Sequence, residues 1–176
     1  MKKIPWIVFA LMLLFAVLYV MRTSPGLPPM VAAHYDAAGG ANSFMTRSSY
    51  IKFILGMSVA LPIAMVALLT FVYSNARDMK LPNRDYWLAP ERIAQTRSLL
   101  VSYGVWFGST LVAMGCYVHW LELAAHRSAP PQLSNQLFGG GLLAFFLITA
   151  GWIVALLGTF RRPRNLEIPP RREPHL

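Results

Sequence analysis

The chain has 176 residues and a formal net charge of +9, with 56% hydrophobic and only 13% charged residues. A mean hydropathy of +0.46 makes it too apolar for an ordinary soluble domain and points to a membrane protein. The cations cluster beside apolar runs, which favours orientation in a bilayer over nucleic-acid binding, and the single cysteine, Cys116, excludes an intrachain disulfide framework and reads as a buried, inert thiol.

In chain order, Lys2 and Lys3 precede an apolar run from Ile4 to Met21. A basic flank and an apolar stretch resemble a signal peptide, but about 18 residues exceed the usual 7–15 of a signal core. The only small-residue cleavage candidate, Val31-Ala32-Ala33, lies beyond Pro25, Pro28 and Pro29. The run is expected to be an uncleaved first span. Residues 22–50 are rich in Pro, Gly, Ser and Asn and predict a connecting loop with turn chemistry throughout. Phe53 to Tyr73 predicts a second span, with Lys52 snorkelling at its start and Pro62 kinking it by removing a backbone hydrogen bond. Residues 74–98 form a second loop. Within it, Asn83-Arg84-Asp85-Tyr86-Trp87 brings aromatic and charged residues to a membrane–water interface. Pro90-Glu91-Arg92 predicts the start of the next helix, since proline lacks the N–H that would be orphaned there.

The third span is expected over 99–123, with Gly104, Gly108 and Gly115 along one face. After Pro130-Pro131 the fourth covers 137–160, with Gly140, Ala144, Gly151, Ala155 and Gly158 as a matching stripe. Small residues at that spacing let helices approach in lipid, so the third and fourth spans are predicted to pack on each other. Gly139-Gly140-Gly141 is no phosphate loop, having neither a preceding strand nor a following Gly-Lys-Ser/Thr. Residues 161–176 read as a basic, Pro-rich, disordered tail.

Charge sets the expected orientation. The first, third and fifth hydrophilic segments hold twelve Lys and Arg residues against four in the other two, so both termini should be cytoplasmic. Residues 22–50 and the segment after the third span then face outward. There His119, Glu122 and His126 fall three and four apart, on one helical face, and His34 and Asp36 lie in the other outward loop. Imidazole with carboxylate can hold a zinc-type ion or pass protons, while ordinary interfacial residues remain the alternative. These five residues are expected to approach one another as one outer ligand- or partner-binding site. Ser58, Ser102, Ser109 and Cys116 have no base near them in sequence, and neither Gly-x-Ser-x-Gly nor His-Glu-x-x-His occurs. No enzyme and no cofactor are expected. The cytoplasmic residues Asn83, Arg84, Asp85, Tyr86, Trp87, Pro90, Glu91 and Arg92 form either a fixed structural corner or a surface for a partner or anionic lipid.

Two stretches carry a resemblance. Leu27-Pro28, Val31, His34-Tyr35, Gly39, Phe44 and Thr46-Arg47, and the longer Leu81-Pro82-Asn83-Arg84-Asp85-Tyr86-Trp87-Leu88-Ala89-Pro90-Glu91-Arg92, resemble the short members of a bacterial membrane family called domain of unknown function 1648. The chain departs from that pattern at Ala32, where Pro is usual, at Asn42-Ser43, where Asp-Gly is common, and at Arg47, where Lys is usual. Related domains occur in longer immunity proteins that protect bacteria from a secreted, sporulation-delaying killing peptide. The resemblance implies a non-enzymatic binding, sensing or immunity-like role, and it brings no catalytic residues with it. The expected fold is an all-α four-helix membrane bundle in the bacterial cytoplasmic membrane, with lipid and a peptide or membrane-protein partner. The alternative is a small transporter, or a transporter accessory subunit, acting as a homo-oligomer.

Overall fold

The computed structural model describes residues 3–75 and 80–161. The expectation of a disordered tail falls on 162–176, outside the described residues. Among the described residues four helices are long and apolar enough to cross a membrane, spanning Lys3–Gly26, Arg47–Asn75, Ile93–Ala125 and Asn135–Arg161, so the chain is a multi-pass membrane protein by length and composition.

Helix α1 (Lys3–Thr23) ends in a 3-10 turn at Ser24–Gly26 and leads to strands β1 (Met30–Tyr35) and β2 (Ala41–Thr46). Helix α2 (Arg47–Leu55) continues through a π-helical turn at Gly56–Ala60 into α3 (Leu61–Asn75). The short α4 (Arg84–Trp87), the 33-residue α5 (Ile93–Ala125) and α6 (Asn135–Arg161) complete the chain. At about 1.5 Å per residue α5 is about 50 Å long, against a hydrocarbon core of about 30 Å. Its two ends therefore reach past the apolar layer, and both ends carry the structure's polar networks.

Helix α5 is the axis of the fold. Its most apolar window is 44% buried, while none of the corresponding window of α6 is buried, so α6 lies at the edge. Three apolar clusters stack along α5. Val20, Leu27, Val31, Tyr50 and Ile54 pack at the hairpin end; Phe9, Ala16, Val66, Val105 and Val112 pack in the middle; Trp87, Leu100 and Phe160 pack at the opposite end. Cys116 is half-buried against the middle cluster rather than fully enclosed.

The small-residue stripe of α5 meets different partners from those expected. A Cβ at Gly104 would lie 3.3 Å from Leu69 on α3. At Gly108 it would meet Val66 and Phe9, and at Gly115 it would lie 2.7 Å from Cα of Ser58. The stripe thus admits the first and second spans; the third and fourth spans do pack on each other, but not through the two matching stripes expected. Gly140, Gly151 and Gly158 of α6 face open space. Aromatic side chains fill the α5–α6 seam instead: Trp152 packs on Tyr103 and Phe107, and its Nε1 donates to the Tyr103 carbonyl at 3.1 Å. One small residue of α6 is nevertheless needed at the seam: a Cβ at Gly141 would strike the ring of Tyr117 on α5, whose hydroxyl donates to the Leu137 carbonyl at 2.6 Å.

Just before Pro62 the second span carries a π-helical turn, closed by the Leu61 N–H donating to the Gly56 carbonyl. Ser58, inside that turn, donates to the Ile54 carbonyl at 2.6 Å. The start expected at Pro90 lies three residues early. Pro90 sits in a turn whose Ala89 carbonyl accepts from the N–H groups of Arg92 and Ile93, and α5 begins at Ile93.

The largest departure is the hairpin inside the segment expected to be a plain loop. β1 and β2 pair antiparallel, Val31 opposite Met45 and Ala32 opposite Phe44, with register breaks on both sides of His34. Asp36 builds the turn: its Oδ1 accepts from the N–H groups of Ala38 (2.8 Å) and Gly40 (2.9 Å). Gly39 has φ +86°, and a Cβ there would strike the Leu133 carbonyl, so this turn requires glycine. The α5–α6 loop fastens onto the same turn. Leu133 N–H donates to the Gly39 carbonyl (2.8 Å), Asn135 Nδ2 to the Ala37 carbonyl (2.9 Å), and Ala41 N–H to the Pro131 carbonyl (3.3 Å). At the hairpin base Arg47 donates to the carbonyls of Pro25 (3.0 Å) and Leu27 (2.8 Å), and Thr46 caps α2 through the Ser49 N–H. The hairpin is therefore a fixed cover on one end of the bundle.

Candidate functional site at the hairpin end

His119 is fully buried on α5, between α1 and α2. Thr23 Oγ1 donates its only proton to the Tyr19 carbonyl at 2.7 Å. The 2.7 Å contact between Thr23 Oγ1 and His119 Nε2 must then have the imidazole as donor. That leaves Nδ1 as an acceptor, and Tyr50 supplies the hydroxyl proton at 2.7 Å. The chain of donors runs from Tyr50 to His119 to Thr23 to the Tyr19 carbonyl, joining three helical segments through one neutral imidazole. Tyr19 also meets the ring edge-on at 5.1 Å, and Tyr50 stacks beside it at 5.8 Å.

One turn further along α5, Glu122 anchors the hairpin. Tyr35 donates its hydroxyl to Glu122 Oε1 at 2.9 Å. His126 Nδ1 lies 3.1 Å from the same oxygen and 3.0 Å from the Glu122 carbonyl. Its Nε2 faces the Ala32 N–H at 3.4 Å, so Nε2 accepts and Nδ1 carries the proton toward Glu122. Burial, followed by the Glu122 charge and the bond to it, pushes the Tyr35 phenol far above its ordinary value, so Tyr35 stays a donor at any physiological pH. Beside this cluster lies a cavity of about 170 Å³ with mostly apolar walls, lined by Tyr35, Met45, Tyr50, Phe53, Glu122 and Phe138 among others.

Of the five residues expected to converge, His119, Glu122 and His126 do share one face of α5. The hairpin reaches that face, but through Tyr35 and the Ala32 backbone. His34 turns to Ser43, Nδ1 to Oγ at 3.0 Å, and Asp36 is committed to its turn. The register breaks around His34 alter the alternation of the strand, which sends Tyr35 inward and leaves His34 exposed. Among the described residues no group of three or more His, Cys, Asp or Glu side chains is placed to hold a metal ion. Sequence reasoning missed Thr23, Tyr35 and Tyr50. Their only sequence signal is a polar or phenolic group beside a span end, which interfacial residues share.

No protein-family model, curated protein or solved structure matches the chain. The site must therefore be interpreted from its own geometry.

The motif at the opposite end proves to be a clasp on α6. Asn83, with φ +52°, donates through Nδ2 to the carbonyls of Phe160 (3.2 Å) and Arg161 (2.9 Å), and Trp87 Nε1 donates to the Phe160 carbonyl at 2.9 Å. These carbonyls belong to the last described turn of α6. Trp87 is buried edge-on against Phe160, and Thr96 Oγ1 donates to the Trp87 carbonyl at 2.7 Å. Arg92 lies 3.9 Å over the Tyr86 ring, while Asp85 and Glu91 are exposed. Trp87→Phe should keep most of the packing and leave the Phe160 carbonyl with Asn83 Nδ2 as its donor among the described residues. The expected cost is about 1 kcal/mol by unfolding in mixed micelles, and Asn83→Ala should cost more once Trp87 is gone, because the carbonyl then loses its second donor. Fully additive losses would show that the two donors act separately.

Proposed function

We propose that this chain is a non-enzymatic binding protein of the bacterial cytoplasmic membrane, with both termini inside, that meets a peptide or membrane-protein partner at its hairpin end in a sensing or immunity-like role. The observation that carries this reading is the hairpin itself. It is held by Arg47 at its base, by the α5–α6 loop at its turn and by Tyr35–Glu122 beneath, yet it keeps Met30 and Phe44 half-exposed on its free face. A rigid scaffold presenting apolar side chains on short strands is suited to contact a partner. The twelve-to-four distribution of cations supports the outward placement of this end. Of the residues quoted for the likeness to the domain of unknown function 1648, Gly39, Thr46-Arg47, Asn83 and Trp87 each hold a part of this chain's own fold.

Two measurements test the reading. A reporter active only in the cytoplasm should work when fused after Leu176 or inserted at Lys80 and be silent at Ser128; activity at Ser128 would reverse the orientation. A photo-crosslinking residue at Phe44 should capture one discrete peptide or membrane protein in native membranes, and the capture should disappear when Gly39→Ala disturbs the turn. Lipid adducts alone at Phe44, together with solute flux in proteoliposomes, would favour the transporter alternative.

A further inference from the structure

The cavity beneath the hairpin holds a carboxylate that is only half used. Glu122 is 8% exposed, and both of its side-chain partners, Tyr35 and His126, converge on Oε1. Among the described residues no hydrogen bond or ion pair reaches Oε2, and Glu122 lines the cavity. The remaining walls are apolar, from Tyr50, Met45, Phe53, Leu121 and Phe138. Phe53 and Phe138 are 53% and 42% exposed, so the cavity is reached from the flank of the bundle, between the second and fourth spans. Its volume of about 170 Å³ is close to that of cavities of about 150 Å³ that take a benzene molecule, so it suits a group of about six non-hydrogen atoms.

We propose that this cavity binds a primary amine on a short, unbranched apolar stem, the chemistry of a lysine side chain, with Glu122 Oε2 receiving the nitrogen. This inference rests on reading the hairpin end as a binding face, and it names the class of group that enters there. An amine fits where an alcohol or an acid fits less well. If Glu122 is ionised, an ammonium donates to Oε2; if it is protonated, the amine takes that proton and the same pair results. The two donors already on Oε1 stabilise the carboxylate in either case, which a buried ion pair needs to offset its desolvation. The stem then replaces water along Met45, Phe53 and Phe138.

The test uses the full chain in phosphatidylcholine nanodiscs, with n-pentylamine and n-pentanol as probes and empty nanodiscs as the partition blank. Pentylamine should bind saturably above the blank, and pentanol about tenfold or more weaker. E122Q, which keeps an acceptor for Tyr35, should weaken pentylamine by about the same factor and leave pentanol unchanged. The comparison of amine with alcohol on the unaltered chain stands even if E122Q fails to fold. Equal binding of amine and alcohol, unchanged amine binding by folded E122Q, or no saturable component would each overturn the proposal. Capture at Phe44 without amine binding would remove the ligand class alone; amine binding without capture would remove the partner reading and leave the site.

Discussion

Gly115→Leu is expected to cost about 3 kcal/mol, at the upper end of the penalty for overpacking, because the added carbon meets the backbone of Ser58 rather than a movable side chain. Gly108→Leu should cost less, roughly 1–2 kcal/mol, since Val66 and Phe9 present side-chain atoms that can rotate aside. Gly151→Leu on α6 should be close to neutral, because nothing lies within 4 Å of the added atom. Reversible unfolding in mixed micelles would rank the three. The order matters more than the values. Lipid supplies no hydrophobic drive between helices, so close backbone approach is a main source of their association. If Gly151→Leu proved the most damaging, α6 would have to pack through the stripe that holds Gly151 after all. If Gly115→Leu were harmless, the contact between α5 and the π-helical turn would be looser than the structure shows.

His119→Ala should cost about 2–4 kcal/mol, combining a cavity at a fully buried site with the orphaned Tyr50 hydroxyl. Hydrogen bonds between membrane helices contribute only about 0.6 kcal/mol on average, so most of the loss should come from packing against Tyr19 and Tyr50. A double-mutant cycle separates the two sources. His119→Phe restores bulk but leaves Tyr50 without an acceptor; adding Tyr50→Phe should then cost little, because both ends of the bond are apolar. Strict additivity would mean that the Tyr50–His119 bond carries no coupling. Nitrogen chemical shifts of the ring should also identify the tautomer protonated at Nε2, which the Thr23 proton count requires.

The four spans were legible because hydropathy is a local property. The expected fourth span, 137–160, differs from Asn135–Arg161 by only two residues at one end and one at the other. The second was less legible. Its helix begins at Arg47, where Arg-Ser-Ser-Tyr-Ile-Lys looks like loop, because Thr46 caps it and Tyr50 and Ile54 are buried against other elements. Helical spacing likewise showed that His119, Glu122 and His126 share a face and that Gly104, Gly108 and Gly115 line one, but not what those residues meet. Those partners lie far away in the chain: Thr23 is 96 residues from His119, Tyr50 is 69, Tyr35 is 87 from Glu122, and the Phe160 carbonyl is 73 from Trp87. The hairpin was hidden for a related reason. Ala, Asn and Ser are poor strand formers, and here pairing depends on an Asp36 turn clamped by Leu133 and on docking against α5. Sequence by itself thus determined which segments are apolar enough to leave water and which residues stand together on one helix. Tertiary structure decided which polar groups satisfy one another, because a buried donor takes whichever acceptor the packed helices bring within reach, and single-chain spacing does not encode that choice.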